Sequence, residues 1–166
     1  MSSAGDAGRP PAPPGSPLYI HGATLIGPSD SSEDRAVLVD AGRIQTIGTG
    51  AQLPCPAGAR RLDATGLVLA PGFIDLQLNG AFGIDFAIAP DRLWEAAAEL
   101  PRHGVTAFLP TIVSSPLSTI AAARQVLLAG PPPGFIGALP VGLHLEGPFL
   151  APSRRGAHDE TFLRLP

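Results

Sequence analysis

The chain has 166 residues, enough for a domain with a sizeable core, and 45% of them are hydrophobic. This content excludes general disorder, whereas 20 glycines and 20 prolines indicate short elements joined by turns. The net charge is −3, and Lys and Arg cluster only in the pairs Arg60, Arg61 and Arg154, Arg155. This charge pattern argues against nucleic acid or an acidic membrane as a partner.

Cys55 is the single cysteine of the chain, which precludes an internal disulfide and favours a reducing compartment. The first 17 residues lack the apolar core of a secretory signal, and no apolar run is long enough to cross a bilayer. We therefore predict a soluble, cytoplasmic protein without a membrane partner.

The amino-terminal part of the chain reads as a tail followed by short strands. Residues 1–17 are almost entirely Ser, Ala, Gly and Pro, which predicts a disordered tail. Within residues 18–70 the pattern predicts a strand at Leu18–Ile26, a hairpin within Ala36–Gly48 and a strand at Leu67–Leu69. This second segment should form a small all-β domain.

Residues 71–166 alternate between strand and helix patterns. Pro101 should end the first helix early, Gly104 should stop it, and Ser115 with Pro116 should open the second helix. The alternation is typical of a parallel α/β architecture, in which ligands gather at the carboxyl ends of the strands. The predicted elements are a strand at Phe73–Leu78, a helix from about Asp91 to His103, a strand at Val105–Val113, a helix closed by Gly130, and a strand at Val141–Phe149.

Polar side chains alternate with aliphatic ones on the first and third of these strands. Ile74, Leu76 and Leu78 should share one face of the first strand, and Asp75, Gln77 and Asn79 the other. On the third strand His144 and Glu146 alternate with leucines in the same way. Such strands are expected in a closed barrel with helices outside and a site at its mouth.

Each polar residue also has an ordinary structural interpretation. Asp75 could cap a local turn, and Asn79 before a glycine is what a plain turn requires. His144 by itself is more often an oriented or core histidine than a ligand. Gln77 needs hydrogen-bond partners if it points into a barrel, and Glu146 is the strongest candidate, since carboxylates are rarely buried without a cation, metal or proton.

Four separated segments carry a specific resemblance: APGFIDLQLNGAFGIDF, HGVTAFLPTIVSS, GLHLEGPF and RRGAH. In this order they closely resemble the N-acetylglucosamine-6-phosphate deacetylases of the amidohydrolase superfamily. The resemblance implies a (β/α)₈ barrel attached to a small β-sandwich, with residues 18–70 as part of the sandwich and residues 71–166 as the first three barrel strands. It also implies a cytoplasmic hydrolase that converts N-acetylglucosamine 6-phosphate to glucosamine 6-phosphate and acetate, and a homo-oligomer for the complete enzyme.

The resemblance assigns roles to particular residues. Glu146 matches the glutamate that ligates a divalent metal, commonly zinc or iron, and Ala157 and His158 match a segment that contacts the amino-sugar phosphate. Gln77 and Asn79 stand where many amidohydrolases have two histidines, and amides are poor transition-metal ligands, so we expect one ion per site. Gln77, Asn79 and His144 are possible site-lining residues.

A complete barrel of this kind takes about 200–250 residues, so the resemblance implies a fragment. The catalytic aspartate and the remaining ligands of the family would lie beyond Pro166. We therefore expect the chain alone to be inactive, and either to aggregate or to remain partly disordered.

Two other readings stay open at this point. The chain could belong to another amidohydrolase that acts on a different amide or a cyclic imide. It could also be a non-catalytic sugar-phosphate binding module, which should melt cooperatively without metal.

Overall fold

A computed structural model describes residues 15–28 and 30–165. Most of the predicted disordered tail, residues 1–17, lies outside this range. The chain divides into two compact units, and the boundary falls between Pro71 and Gly72. No helix in the described part of the chain is long and apolar enough to cross a membrane.

The first unit is built on one five-stranded sheet. The strands are β1 (Leu18–Ile26), β2 (Ser31–Asp40), β3 (Arg43–Thr49), β4 (Arg60–Asp63) and β5 (Val68–Leu69). Strand β1 lies in the middle of the sheet and pairs with β2 in antiparallel fashion and with β4 and β5 in parallel, while β3 pairs with β2. Tyr19, Ala36 and Ala59 form a small buried cluster, and the Tyr19 hydroxyl donates a 2.7 Å hydrogen bond to the Leu53 carbonyl oxygen.

The predicted hairpin is present and turns at Ala41 and Gly42, which have φ values of 48° and 72°. Two successive residues with positive φ match the twist of the flanking strands, as two-residue hairpin turns require. The strand at Leu18–Ile26 is confirmed with the predicted bounds, whereas β4 was not predicted. All four residues of β4 are exposed and three of them are charged, so no apolar pattern marks this strand.

The second unit combines short strands with two α-helices. The strands are β6 (Phe73–Leu78), β7 (Gly80–Ala81), β8 (Ile84–Asp85), β9 (Val105–Val113), β10 (Leu139–Pro140) and β11 (His144–Glu146). The helices are α1 (Leu93–Glu99) and α2 (Leu117–Ala129), with single 3₁₀ turns at Pro90–Arg92, Leu100–His103, Pro152–Arg154 and Glu160–Phe162.

Strand β9 is the centre of a parallel sheet in this unit. It pairs with β6 on one side and with β10 and β11 on the other. The sheet therefore follows chain order, which is the arrangement of successive β-α-β connections. Phe86, Leu93, Phe108 and Ile112 are almost fully buried and form the centre of the core between this sheet and the helices.

The helix boundaries follow from proline and glycine. Helix α1 ends at Glu99 because Pro101 cannot continue it, and a 3₁₀ turn leads to Gly104, whose φ of 80° ends the segment. Gly130 closes α2 as predicted. The predicted start of α2 was one residue early: Pro116, with ψ of 145°, occupies the N-cap, and no side chain caps the helix.

Two strand predictions need correction. The third parallel strand is not continuous from Val141 to Phe149, since residues 141–143 separate β10 from β11. The regular alternation of β6 is also interrupted, because its register against β9 shifts between Asp75 and Leu78. Asp75 accepts a 3.0 Å hydrogen bond from the Gln77 backbone N–H through its Oδ1, which removes this donor from the ladder. Ile74 and Leu76 are exposed, so the helices expected to cover them do not lie over this face.

Candidate active site

The carboxyl ends of β6, β9 and β11 bring together four polar side chains. Asn79 follows β6, Ser114 follows β9, Glu146 ends β11, and His158 comes from the loop that follows β11. Because parallel strands end at the same edge of a sheet, residues distant in sequence meet there. Asn79 and Glu146, which the sequence places at strand ends, are in direct contact.

Both carboxylate oxygens of Glu146 have hydrogen-bond partners. Asn79 Nδ2 donates to Oε2 at 3.2 Å, and His158 Nε2 lies 3.4 Å from Oε1. These two contacts approach the carboxylate from different elements and therefore fix its orientation. Each carboxylate oxygen keeps a second lone pair for a further ligand.

Hydrogen bonding lowers the pKa of Glu146 below its ordinary value. The largest cause is the hydrogen bond from Asn79, burial opposes it, and His158 and Gln77 make smaller lowering contributions. Glu146 is only partly exposed, and these hydrogen bonds favour its ionised form. The site thus presents a fixed anionic oxygen pair at neutral pH.

His158 is buried, with 7% of its surface exposed, and only Ser114, at 6%, is more buried in this cluster. Its Nδ1 lies 3.3 Å from the Ser114 backbone N–H donor and 2.9 Å from the Ser114 hydroxyl. The Arg155 guanidinium donates from Nη1 to the His158 carbonyl oxygen at 2.8 Å, which holds the loop at this residue. Ser114 was missed in the sequence, although it follows β9 directly and obeys the same strand-end rule as Asn79 and Glu146.

The remaining predicted site residues lie around this cluster. Gln77 is exposed, and a side-chain hydrogen bond from it makes a small contribution to the lowered pKa of Glu146. The His144 Nδ1 lies 3.1 Å from the hydroxyl of Thr111, a buried residue that the sequence did not single out. Ala157 is exposed in the loop immediately before His158. The roles of Gln77, His144, Ala157 and His158 toward a substrate stay predictions.

A cavity of about 370 Å³ opens beside the cluster. Glu146, Gly147 and Ser114 contribute to its wall on one side, and the rest of its lining is mostly apolar and comes from β9, β11, α2 and the segment after β11. Arg164 lines the same cavity and adds a cationic side chain to its wall.

The described residues do not by themselves fit a tightly held metal ion. Residues 15–28 and 30–165 contain no group of three His, Cys, Asp or Glu side chains placed to hold one. Glu146 offers an anionic oxygen of the kind that zinc and iron accept, but the ring nitrogens of His158 are engaged with Ser114 and Glu146. One carboxylate is therefore the only strong ligand that this cluster supplies.

Comparisons with known proteins agree with the resemblance read from the sequence. No family model matches the chain. N-acetylglucosamine-6-phosphate deacetylase from Homo sapiens is 45% identical over 111 residues, which cover 63% of this chain and 26% of that protein. N-acetylgalactosamine-6-phosphate deacetylase from Escherichia coli O157:H7 is 38% identical over 112 residues, covering 67% and 29% of the two chains.

A solved structure shows that the fold is shared. The crystal structure of N-acetylglucosamine-6-phosphate deacetylase from Pasteurella multocida matches with a TM-score of 0.76 and 29% identity, covering 89% of this chain and 38% of that one.

The relatives and the solved structure named above share one class, the amidohydrolase deacetylases named for amino-sugar phosphates. This chain is similar to the amino-terminal part of the N-acetylglucosamine-6-phosphate deacetylases. It spans about a quarter of the length of the mammalian relatives it matches. The resemblance carried by the four sequence segments is thereby confirmed.

Proposed function

We propose that this chain forms part of a deacetylase that hydrolyses N-acetylglucosamine 6-phosphate to glucosamine 6-phosphate and acetate. The observation that carries the proposal is the oriented carboxylate of Glu146, held by Asn79 and His158 at the carboxyl ends of parallel strands. Homology to enzymes named for this reaction supplies the substrate class. The proposed partner is therefore an amino-sugar phosphate.

The second unit is proposed to be the first part of a (β/α)₈ barrel. The strands of its sheet are parallel and follow chain order, as barrel strands do. They occupy three successive positions: β6, then β9, then β10 and β11 together. The first unit, with its single sheet, is proposed to be part of a small β-sandwich. The similarity to the Pasteurella multocida enzyme over 89% of this chain supports both proposals.

A divalent metal ion, zinc or iron, is the proposed cofactor, with Glu146 as one of its ligands. The lowered pKa of Glu146 favours the ionised form that a metal requires. Gln77 and Asn79 lie close to this carboxylate, and their amides are weak ligands for a transition metal, so we propose one ion per site. Ala157 and His158 as substrate contacts, a homo-oligomeric assembly and a cytoplasmic location remain predictions from the sequence.

N-acetylgalactosamine 6-phosphate is a second candidate substrate. The relative from Escherichia coli O157:H7 is named for this sugar and is 38% identical over a stretch that covers 67% of this chain. The two sugars differ only in the configuration of one hydroxyl group, so the same acetamide chemistry serves both.

A chimera tests the proposed function. This chain replaces the corresponding amino-terminal part of the Homo sapiens relative, and acetate release is measured with each of the two sugar phosphates in the presence of Zn²⁺ or Fe²⁺. We expect metal-dependent release, abolished by Glu146→Gln and retained in the control Glu99→Gln, because Glu99 is half-exposed and its contact is a surface pair with Arg102. Full activity of the Glu146→Gln chimera would contradict the proposal.

The chain alone provides a complementary test. We propose that the 166-residue chain by itself releases no acetate, since its described residues supply one strong metal ligand. Metal-dependent acetate release by the isolated chain would contradict this part of the proposal.

A further inference from the structure

The hydrogen-bond partners of His158 determine which of its ring nitrogens carries the proton. A backbone N–H can only donate, and the Ser114 N–H lies 3.3 Å from His158 Nδ1. The Ser114 hydroxyl, at 2.9 Å from the same nitrogen, can donate as well. Nδ1 therefore accepts, and in the neutral ring the proton resides on Nε2.

The proton on Nε2 points to Glu146. Nε2 lies 3.4 Å from Glu146 Oε1, while Oε2 accepts from Asn79. His158 is 7% exposed, so its ring has little freedom to leave this arrangement. The hydrogen bonds from Ser114 to Nδ1 thus fix the tautomer of His158. In this tautomer the Nε2–H of His158 is a donor to the Glu146 carboxylate.

Gly147 makes the contact between Ser114 and His158 possible. A Cβ atom at this position would collide with the Ser114 hydroxyl oxygen and would lie 3.5 Å from His158 Nδ1. Gly147 also has a φ of 93°, which side chains disfavour. The glycine immediately after Glu146 therefore leaves the space that the serine hydroxyl and the imidazole occupy.

We infer that His158 is a positioning residue, which Ser114 locks in the Nε2-protonated tautomer so that it orients the Glu146 carboxylate. The inference rests on the proposed function only for the use of Glu146 as a ligand. Groups that hydrogen-bond to a metal-ligating carboxylate fix its orientation, and His158 would do this for Glu146.

Nuclear magnetic resonance of the ¹⁵N,¹³C-labelled full chain tests the tautomer. A two-bond ¹H–¹⁵N correlation spectrum should show an unprotonated Nδ1 and a protonated Nε2 for His158, identified by their loss in His158→Gln. Ser114→Ala retains the backbone donor and should retain this pattern, whereas Gly147→Ala should shift it toward a mixture of tautomers. A protonated Nδ1, or the averaged pattern of a freely exposed histidine in the unmodified chain, would overturn the inference.

The action on Glu146 needs a second measurement. Gln at position 158 can place an amide donor where Nε2 lies, whereas the shorter Asn reaches only the Nδ1 side of the ring. The Glu146 carboxyl ¹³C resonance, assigned by its loss in Glu146→Gln, should stay near its original position in His158→Gln and shift in His158→Asn. An unchanged resonance in both variants would overturn the positioning role, even if the tautomer were as expected.

The outcome is separable from that of the proposed function. A chimera without deacetylase activity, together with the expected spectra, would remove the proposed reaction and leave the positioning of Glu146 by His158 intact.

Discussion

Asp63 and Thr65 form a local turn that makes the first unit sensitive to acid. Asp63 Oδ1 accepts a 3.0 Å hydrogen bond from the Thr65 N–H and a 2.6 Å hydrogen bond from its hydroxyl. The hydroxyl and the backbone N–H of Thr65 are the main causes that lower the pKa of Asp63. A lowered pKa means that the ionised form stabilises the folded state.

The stability contributed by Asp63 should be present above the unfolded pKa of about 3.9 and should be lost as the pH falls through its lower folded pKa. Urea unfolding followed by circular dichroism from pH 7 to pH 2 measures this dependence. In Asp63→Asn the free energy of unfolding should fall less steeply at acid pH. Thr65→Ala keeps the backbone N–H donor and should reduce this pH dependence only in part. An identical pH profile in Asp63→Asn would contradict the prediction.

Position 22 requires glycine for two reasons, its positive φ and the close approach of Thr65. Gly22 has a φ of 77°, and the register of β1 against β2 shifts around it between Ile20 and Ala23. A Cβ atom there would collide with the Thr65 hydroxyl. Gly22→Ala should therefore lower the free energy of unfolding by more than about 1 kcal/mol.

Gly50→Ala is the matched control for Gly22→Ala. Nothing lies within 4 Å of a Cβ atom at Gly50, and its φ is not in the positive range. Thermal unfolding should show a lower midpoint for Gly22→Ala and an unchanged one for Gly50→Ala. Equal midpoints for the two variants would show that the space beside Thr65 is not restrictive.

The hairpin between β2 and β3 carries strain at Ala41. A two-residue turn of this type prefers Asn followed by Gly, because both positions have positive φ. Gly42 satisfies this preference, whereas Ala41 has a φ of 48° with a Cβ atom. We expect Ala41→Asn to stabilise the first unit by about 0.5–1 kcal/mol.

Ala41→Val provides the opposite control, because β-branched residues are disfavoured at positive φ. Denaturant midpoints should rise in Ala41→Asn and fall in Ala41→Val. A fall in both variants would mean that the turn does not retain the two positive φ values.

Strands could be predicted where apolar runs have clear ends. The bounds of β1, β6 and β9 agree with the sequence prediction, and Pro17, Gly72 and Gly104 stand at or near their beginnings. The exposed, polar β4 has no such pattern, since it is specified by pairing with β1. The break between β10 and β11 was missed, because the apolar pattern through Val141 and Leu143 was given more weight than Pro140 and Gly142 beside it.

The contacts of the candidate site were also predictable from the sequence only in part. Asn79 and Glu146 were predictable as neighbours, because each follows or ends a parallel strand at the same edge. The contact of His158 with Ser114 and Glu146 depends on the path of an irregular loop of twelve residues, held in part by the Arg155 hydrogen bond. Local sequence does not specify such a path, and the sequence alone placed His158 with a substrate only through the family resemblance.

Each of the two units has its own buried cluster, and each also leaves apolar side chains in solvent. In the parallel sheet of the second unit, β6 pairs with β9 along one side, and its described residues have no strand partner along the other. Phe73, Ile74 and Leu76 on this strand are 69%, 61% and 65% exposed. An apolar strand with a free edge is a template for association between chains.

We therefore expect the isolated chain to self-associate through β6. The double substitution Ile74→Lys and Leu76→Lys replaces exposed apolar surface with like charges, so it should increase the monomer fraction measured by sedimentation velocity. Circular dichroism should be unchanged, because neither side chain belongs to a buried cluster. Ser118→Lys, which adds a positive charge at an exposed position of α2, should leave association as it was. A monomeric unmodified chain, or equal association in the β6 variant and the original chain, would show that this edge is not the contact.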